Sequence, residues 1–184
     1  MSACSRYETL LAEIREEFPR FRLIPKTQSP LQKIIHRALQ VLTFGQMRTF
    51  MTDYHTTLGY RIYVADQAWE CKSDESRYVT LCHERVHMRQ FRRFTWPGMT
   101  LLYLLFPLPM GLAYFRARFE MEAYAESIRA AAQVWGMQHV RDDTYKRYIL
   151  RQFTSASYGW MWPFRKSLER WYERALANAE HDAL

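Results

Sequence analysis

The chain has 184 residues, of which 48% are hydrophobic and 24% charged, proportions that exclude a disordered or coiled-coil chain and suit one domain over residues 1–184 with a buried core. Three cysteines, none in a Cys-x-x-Cys pair, exclude a disulfide framework and a cysteine-based zinc site, and they fit a reducing compartment. The formal charge of +7 comes from basic residues spread along the chain; it reads as a solvated cationic surface, and no specific nucleic-acid partner is expected.

Residues 5–18 predict a first amphipathic helix with Tyr7, Leu10, Leu11 and Ile14 on one face, ended by Pro19. Its acids argue against a secretory leader, so a cytoplasmic location is expected. "RFRLIPKTQSP" reads as an extended connector. Ser29 caps a second helix that begins with Pro30 and runs to about Leu42, with Ile34, Ile35, Ala38, Leu39 and Leu42 inward. The N-terminal helices thus fill 5–42. A turn at Gly59 precedes a strand over 61–65, with Ile62 and Val64 on one face and Tyr63 on the other. The strand and the following helix, capped by Ser76, take up 60–92.

Residues 94–115 carry no charge and are long enough to span a bilayer. Pro97, Pro107 and Pro109, with Gly98 and Gly111, disfavour an unbroken helix. A core segment or surface loop is the expected reading, and membrane contact through 94–115 is the alternative. An Ala-rich helix over 113–135 follows, closed by Gly136. Further helices fall within 143–179, where Phe164, Leu168, Trp171, Tyr172 and Leu176 have the spacing of core residues.

The chemistry-bearing stretch is "VTLCHERVHMRQ", residues 79–90. In a helix, His83 and His87 lie one turn apart on one face and can present two imidazoles to one ion. Glu84 stands beside the first of them, where a carboxylate can take a proton from a water activated by the ion. With 6 His and 13 Glu in the chain, the pattern arises by chance with a probability of about 1%. Val79, Cys82 and Val86 pack the opposite side of this helix. Gln90, three residues beyond His87, reads equally as a cleft residue or a solvated one. A catalytic zinc commonly has three protein ligands. No histidine follows closely behind His87, so the third donor is sought among Glu120, Glu122 and Glu126 in "RFEMEAYAES".

His-Glu-x-x-His followed by a Glu on a later helix resembles the gluzincin metallopeptidases. In several branches the ligand Glu is followed by Ala three residues on, a signature that both Glu120 with Ala123 and Glu122 with Ala125 match. Tyr124 replaces the usual polar residue of that signature. Helix geometry favours Glu120: Arg118, Glu122, Glu126 and Arg129 make an alternating-charge stripe typical of solvent faces, whereas Glu120 shares its face with Ala113, Ala117, Ala123, Tyr124, Ser127 and Ala131. Glu122 stays as the alternative.

The resemblance covers residues 79–128. It implies an α+β, predominantly helical, zincin-like fold with a small sheet packed on the active-site helix, and an edge strand beside the cleft for which 61–65 is the candidate. It implies one Zn²⁺ per chain held by His83, His87 and Glu120, and hydrolysis of a protein or peptide with Glu84 as general base and then acid. Tyr158 is the candidate oxyanion donor. His55 and His139 are weaker candidates for extra ligands. The rival readings are a membrane-associated metallopeptidase using 94–115, a non-catalytic basic helical binding protein with a coincidental motif, and a basic nucleic-acid-binding module whose association would be salt-sensitive.

Overall fold

The computed structural model describes residues 5–42, 45, 49–104, 114–155, 161–162 and 164–182. They form a mostly helical α+β chain with one small mixed sheet. Two compact units divide at Glu84 and Arg85, inside one long helix.

The first unit opens with α1 (Arg6–Glu17), where the Ser5 hydroxyl accepts the Glu8 N–H at 3.3 Å and Tyr7, Leu10, Leu11 and Ile14 are buried. A cap of this kind contributes about 1 kcal/mol. The expected connector is in part a strand: β1 (Arg22–Pro25) pairs in parallel with β3 (Arg61–Val64), Arg22 opposite Arg61 and Pro25 opposite Val64. Pro25 lacks an N–H and ends the ladder, as prolines do on edge strands. β2 (Thr56–Leu58) pairs antiparallel with β3 through a tight turn at Gly59, whose φ of 62° is left-handed backbone that glycine adopts without a Cβ clash. The order β1-β3-β2 makes β3 the central strand, with Ile62, Tyr63 and Val64 all buried. The edge strands are therefore β1 and β2, a correction to the expectation for 61–65.

α2 (Pro30–Leu42) forms where expected but is rotated about its axis. Its inward side carries Gln32, fully buried, and His36, stacked on Phe50 at 6.2 Å. Ile34 is 64% exposed and Ala38 is exposed as well, against the expected inward packing; Ile35 and Leu39 are half-buried. The short helix α3 (Asp66–Glu70) follows β3.

α4 (Asp74–Leu104) starts in the first unit and ends in the second. Its first turn is capped by Ser73, whose Oγ accepts the Ser76 N–H at 3.3 Å, so Ser76 lies inside the turn it was expected to cap. Thr95, with φ 59° and ψ 166°, breaks it two residues before Pro97. Proline removes a helical N–H and crowds the preceding turn, which accounts for the kink. Among the described residues no helix is long and apolar enough to cross a membrane; residues 105–113 of the charge-free stretch lie outside them.

In the second unit, α5 (Tyr114–Trp135) ends at Gly136, φ 86°. A short α6 (Met137–Arg141) leads to α7 (Asp143–Thr154), capped by Asp142, which accepts the Thr144 N–H at 2.8 Å. α8 (Arg165–His181) buries Leu168, Tyr172, Ala175 and Ala179, and the Tyr172 hydroxyl donates to the Val140 carbonyl at 2.6 Å. Phe164, expected in the core, is 58% exposed at the start of α8, against the Trp162 ring; Trp171 and Leu176 are half-buried.

Candidate metal centre

Three side chains from α4 and α5 converge. One donor atom each from His83, His87 and Glu120 lie within 4.8 Å of one another. His83 is half-buried, and His87 and Glu120 are 8% and 7% exposed. The Glu120 face of α5 holds Ala117, Ala123 and Ala131, all fully buried, and Ser127 at 4% exposure, so small side chains leave room for the carboxylate. Of the expected apolar face of α4, Val79 and Cys82 are buried and Val86 is half-buried; Leu81 and Met88 are fully buried as well.

His87 Nε2 stands 3.8 Å from Glu120 Oε2. That is too long for a hydrogen bond. Two donors on one tetrahedral zinc, each about 2.0–2.2 Å from it, lie about 3.4 Å apart. The pair therefore fits an ion after a small inward adjustment. Two imidazole nitrogens and a carboxylate oxygen are a set that zinc takes, and three protein donors leave a fourth position open.

Gln90 decides how His87 presents its ring. It is 3% exposed, and its amide nitrogen donates to the Phe119 carbonyl at 3.1 Å and to Glu122 Oε2 at 2.9 Å. Both amide hydrogens are thus directed at acceptors, which leaves Oε1 to face His87 Nδ1 at 2.9 Å. An amide oxygen can only accept, so Nδ1 carries a hydrogen, and in the neutral ring the lone pair is then on Nε2, toward Glu120. Glu122 thus serves as Gln90's partner, on the exposed stripe, while Glu120 is the carboxylate of the donor group. Glu126 is paired with Arg129.

On the first-unit side, Glu84 is 6% exposed and accepts the Thr57 hydroxyl at 2.5 Å. Thr57 is on the edge strand β2. Three basic groups feel the charge of Glu84. Lys26, fully buried, donates from Nζ to the Phe50 carbonyl at 2.7 Å and lies over the Phe50 ring at 3.5 Å. Burial brings its pKa down to about 8, with Glu84 opposing. Burial also lowers Lys72, again opposed by Glu84. His55 is brought down to about 4 by burial and then by the Lys72 charge.

His55 does not join the donor group. Its Nδ1 accepts the Ala65 N–H at 3.3 Å, its ring meets Trp69 edge-on at 5.4 Å, and Nε2 lies 3.1 Å from Lys72 Nζ, which donates to Thr80 Oγ1 at 2.9 Å. His139 is exposed between the Trp135 and Tyr145 rings, 4.9 Å from each, and is not in the donor group either. Tyr158 lies outside the described residues.

The sequence alone left Gln90 undecided and gave Thr57 no role. For Gln90 the usable signal was its place three residues past a candidate ligand histidine and an amide that both donates and accepts. For Thr57 there was no signal, because its contact depends on strand pairing. Comparison of the chain with protein-family models, curated proteins and solved structures finds no match.

Proposed function

We propose that the chain is a zinc-dependent peptidase, a gluzincin-like hydrolase with a zincin-like arrangement, holding one Zn²⁺ at His83, His87 and Glu120 and cutting a protein or peptide substrate. The observation that carries the reading is the convergence of those three donor atoms within 4.8 Å, with the buried carboxylate of Glu84 next in sequence to His83. A zinc ion bound there would supply Lewis acidity toward a water molecule and a scissile carbonyl. Glu84 takes the proton of the attacking water and delivers it to the leaving amine. Thr57 holds one oxygen of Glu84, so the other is available for that transfer. Gln90 keeps the His87 lone pair on the ligand side. β2, an edge strand that reaches Glu84 through Thr57, supports the zincin-like arrangement. Free Cys71 and Cys82 accord with a cytoplasmic location.

The test is hydrolysis of a mixed peptide library by zinc-reconstituted protein, parent against Glu84→Gln. The reading expects cleavage by the parent and a loss in kcat of about 10²–10⁴-fold in the variant, at unchanged zinc content. A zinc-loaded parent that cleaves nothing, or a variant as active as the parent, would overturn it.

A further inference from the structure

α2 turns hydrophobic residues to solvent. Leu31, Ile34, Ala38 and Val41 fall at steps of three, four and three, the spacing of one helical face, and Leu31, Ile34 and Val41 are 47%, 64% and 77% exposed. The opposite side buries polar groups instead: both polar side-chain atoms of Gln32, and Nδ1 of His36, lack a hydrogen-bond partner. A helix that keeps an amide inside and an aliphatic stripe outside is oriented for something other than this unit's own core.

The charge around the stripe identifies its partner. Lys33 and Arg37, one turn apart and both exposed, flank it. Apart from the buried Lys26, residues 18–52 contain Arg20, Arg22, Lys33, Arg37 and Arg48 and no acid, although over the whole chain 19 acids stand against 26 Lys and Arg. We propose that α2 is a peripheral membrane anchor, lying in the headgroup layer of an anionic bilayer with Leu31, Ile34, Ala38 and Val41 toward the acyl chains and Lys33 and Arg37 on lipid phosphates. Basic amphipathic helices bind in this way, by apolar burial together with attraction to anionic lipid.

A second copy of the chain is a poorer occupant, because a symmetric contact through this stripe brings Lys33 and Arg37 against their equivalents. A protein groove is poorer as well: the stripe is purely aliphatic, without the Trp, Tyr or Arg anchors that concentrate energy in protein interfaces. The anchor needs no membrane-crossing helix. It is also independent of the metal, so it stands or fails apart from the peptidase reading.

The experiment is co-sedimentation of the full chain with phosphatidylcholine vesicles, with and without phosphatidylglycerol, in low and high salt. Circular dichroism of each variant confirms folding. The expected result is binding to the anionic vesicles that falls in high salt, weakened about tenfold or more by Ile34→Ser with Val41→Ser and, separately, by Lys33→Glu with Arg37→Glu. Because these side chains are exposed, both double variants are expected to fold. No binding to anionic vesicles, binding that neither double variant weakens, or binding equal on neutral vesicles would overturn the proposal. So would a dimer in size-exclusion chromatography that Ile34→Ser with Val41→Ser dissolves while vesicle binding persists.

Discussion

Glu84 and His87 lie three residues apart on α4 and are buried alike, at 6% and 8% exposure, yet their surroundings are opposite. Glu84 takes a hydroxyl hydrogen from Thr57 and stands where Lys26, His55 and Lys72 feel its charge. His87 faces acceptors: the Gln90 carbonyl oxygen at one ring nitrogen and the Glu120 carboxylate at the other. One helix thus carries a carboxylate among basic groups and an imidazole between acceptors. In the proposed peptidase the first would move a proton and the second would hold the ion.

The contrast can be broken from either side, and the largest effect is expected at the residues themselves. His87→Ala removes a donor and should abolish stoichiometric zinc, whereas Glu84→Gln should keep the zinc and lose turnover by about 10²–10⁴-fold. Elemental analysis alongside peptide hydrolysis separates the two; equal zinc loss in both variants would erase the distinction.

Next comes the pH dependence of stability on the Glu84 side. The His55 pKa is about 4 in the folded chain against an ordinary 6.5, so between those values the unfolded chain binds more protons. Folding stability therefore rises with pH through that window and falls on acidification from 6.5 to 4, by roughly 3 kcal/mol at 1.36 kcal/mol per unit. Urea unfolding across this range should show the slope, and His55→Gln should flatten it. An unchanged slope in the variant would place the acid sensitivity elsewhere. Lys26 acts in the same direction at higher pH: its folded pKa of about 8 lies below the ordinary 10.5, so stability rises as pH climbs from 8 to 10.5.

The Gln90 side gives a smaller effect. Gln90→Leu removes the acceptor that fixes the His87 ring and should weaken zinc binding by about 10–100-fold. Glu122→Ala, which removes only the support of Gln90, should weaken it less. ¹⁵N NMR of the metal-free protein gives an independent readout: hydrogen on Nδ1 of His87 in the parent, and a mixture of tautomers in Gln90→Leu. Similar in size to the Gln90 effect, Thr57→Val removes one hydrogen bond to Glu84, worth about 1.5–3 kcal/mol for a charged acceptor, and should slow hydrolysis while leaving zinc content untouched.

Much of this was legible because helical periodicity is local. α1 and α5 follow spacings visible in the sequence, and the alanines around Glu120 separated it from the solvated stripe of Glu122 before any coordinates. β1 was not legible: it is four residues long, ends in proline and pairs with a strand some forty positions away. β2 has only three residues and no alternation to read. α2 was read correctly as a helix, but its rotation is set by what packs on Gln32 and His36, which periodicity cannot report. The same limit hid Thr57, which comes from another segment, and it left Gln90 of α4 undecided, because the acceptors that orient its amide are on α5.

The metal centre is tested by zinc content per chain, measured on protein reconstituted at neutral pH and freed of loose metal, for the parent and for His83→Ala, Glu120→Ala and Glu122→Ala. A centre built from His83, His87 and Glu120 gives about one zinc per chain in the parent and in Glu122→Ala, and none in the other two. A parent without zinc, or a Glu120→Ala variant that keeps it, would rule out that centre.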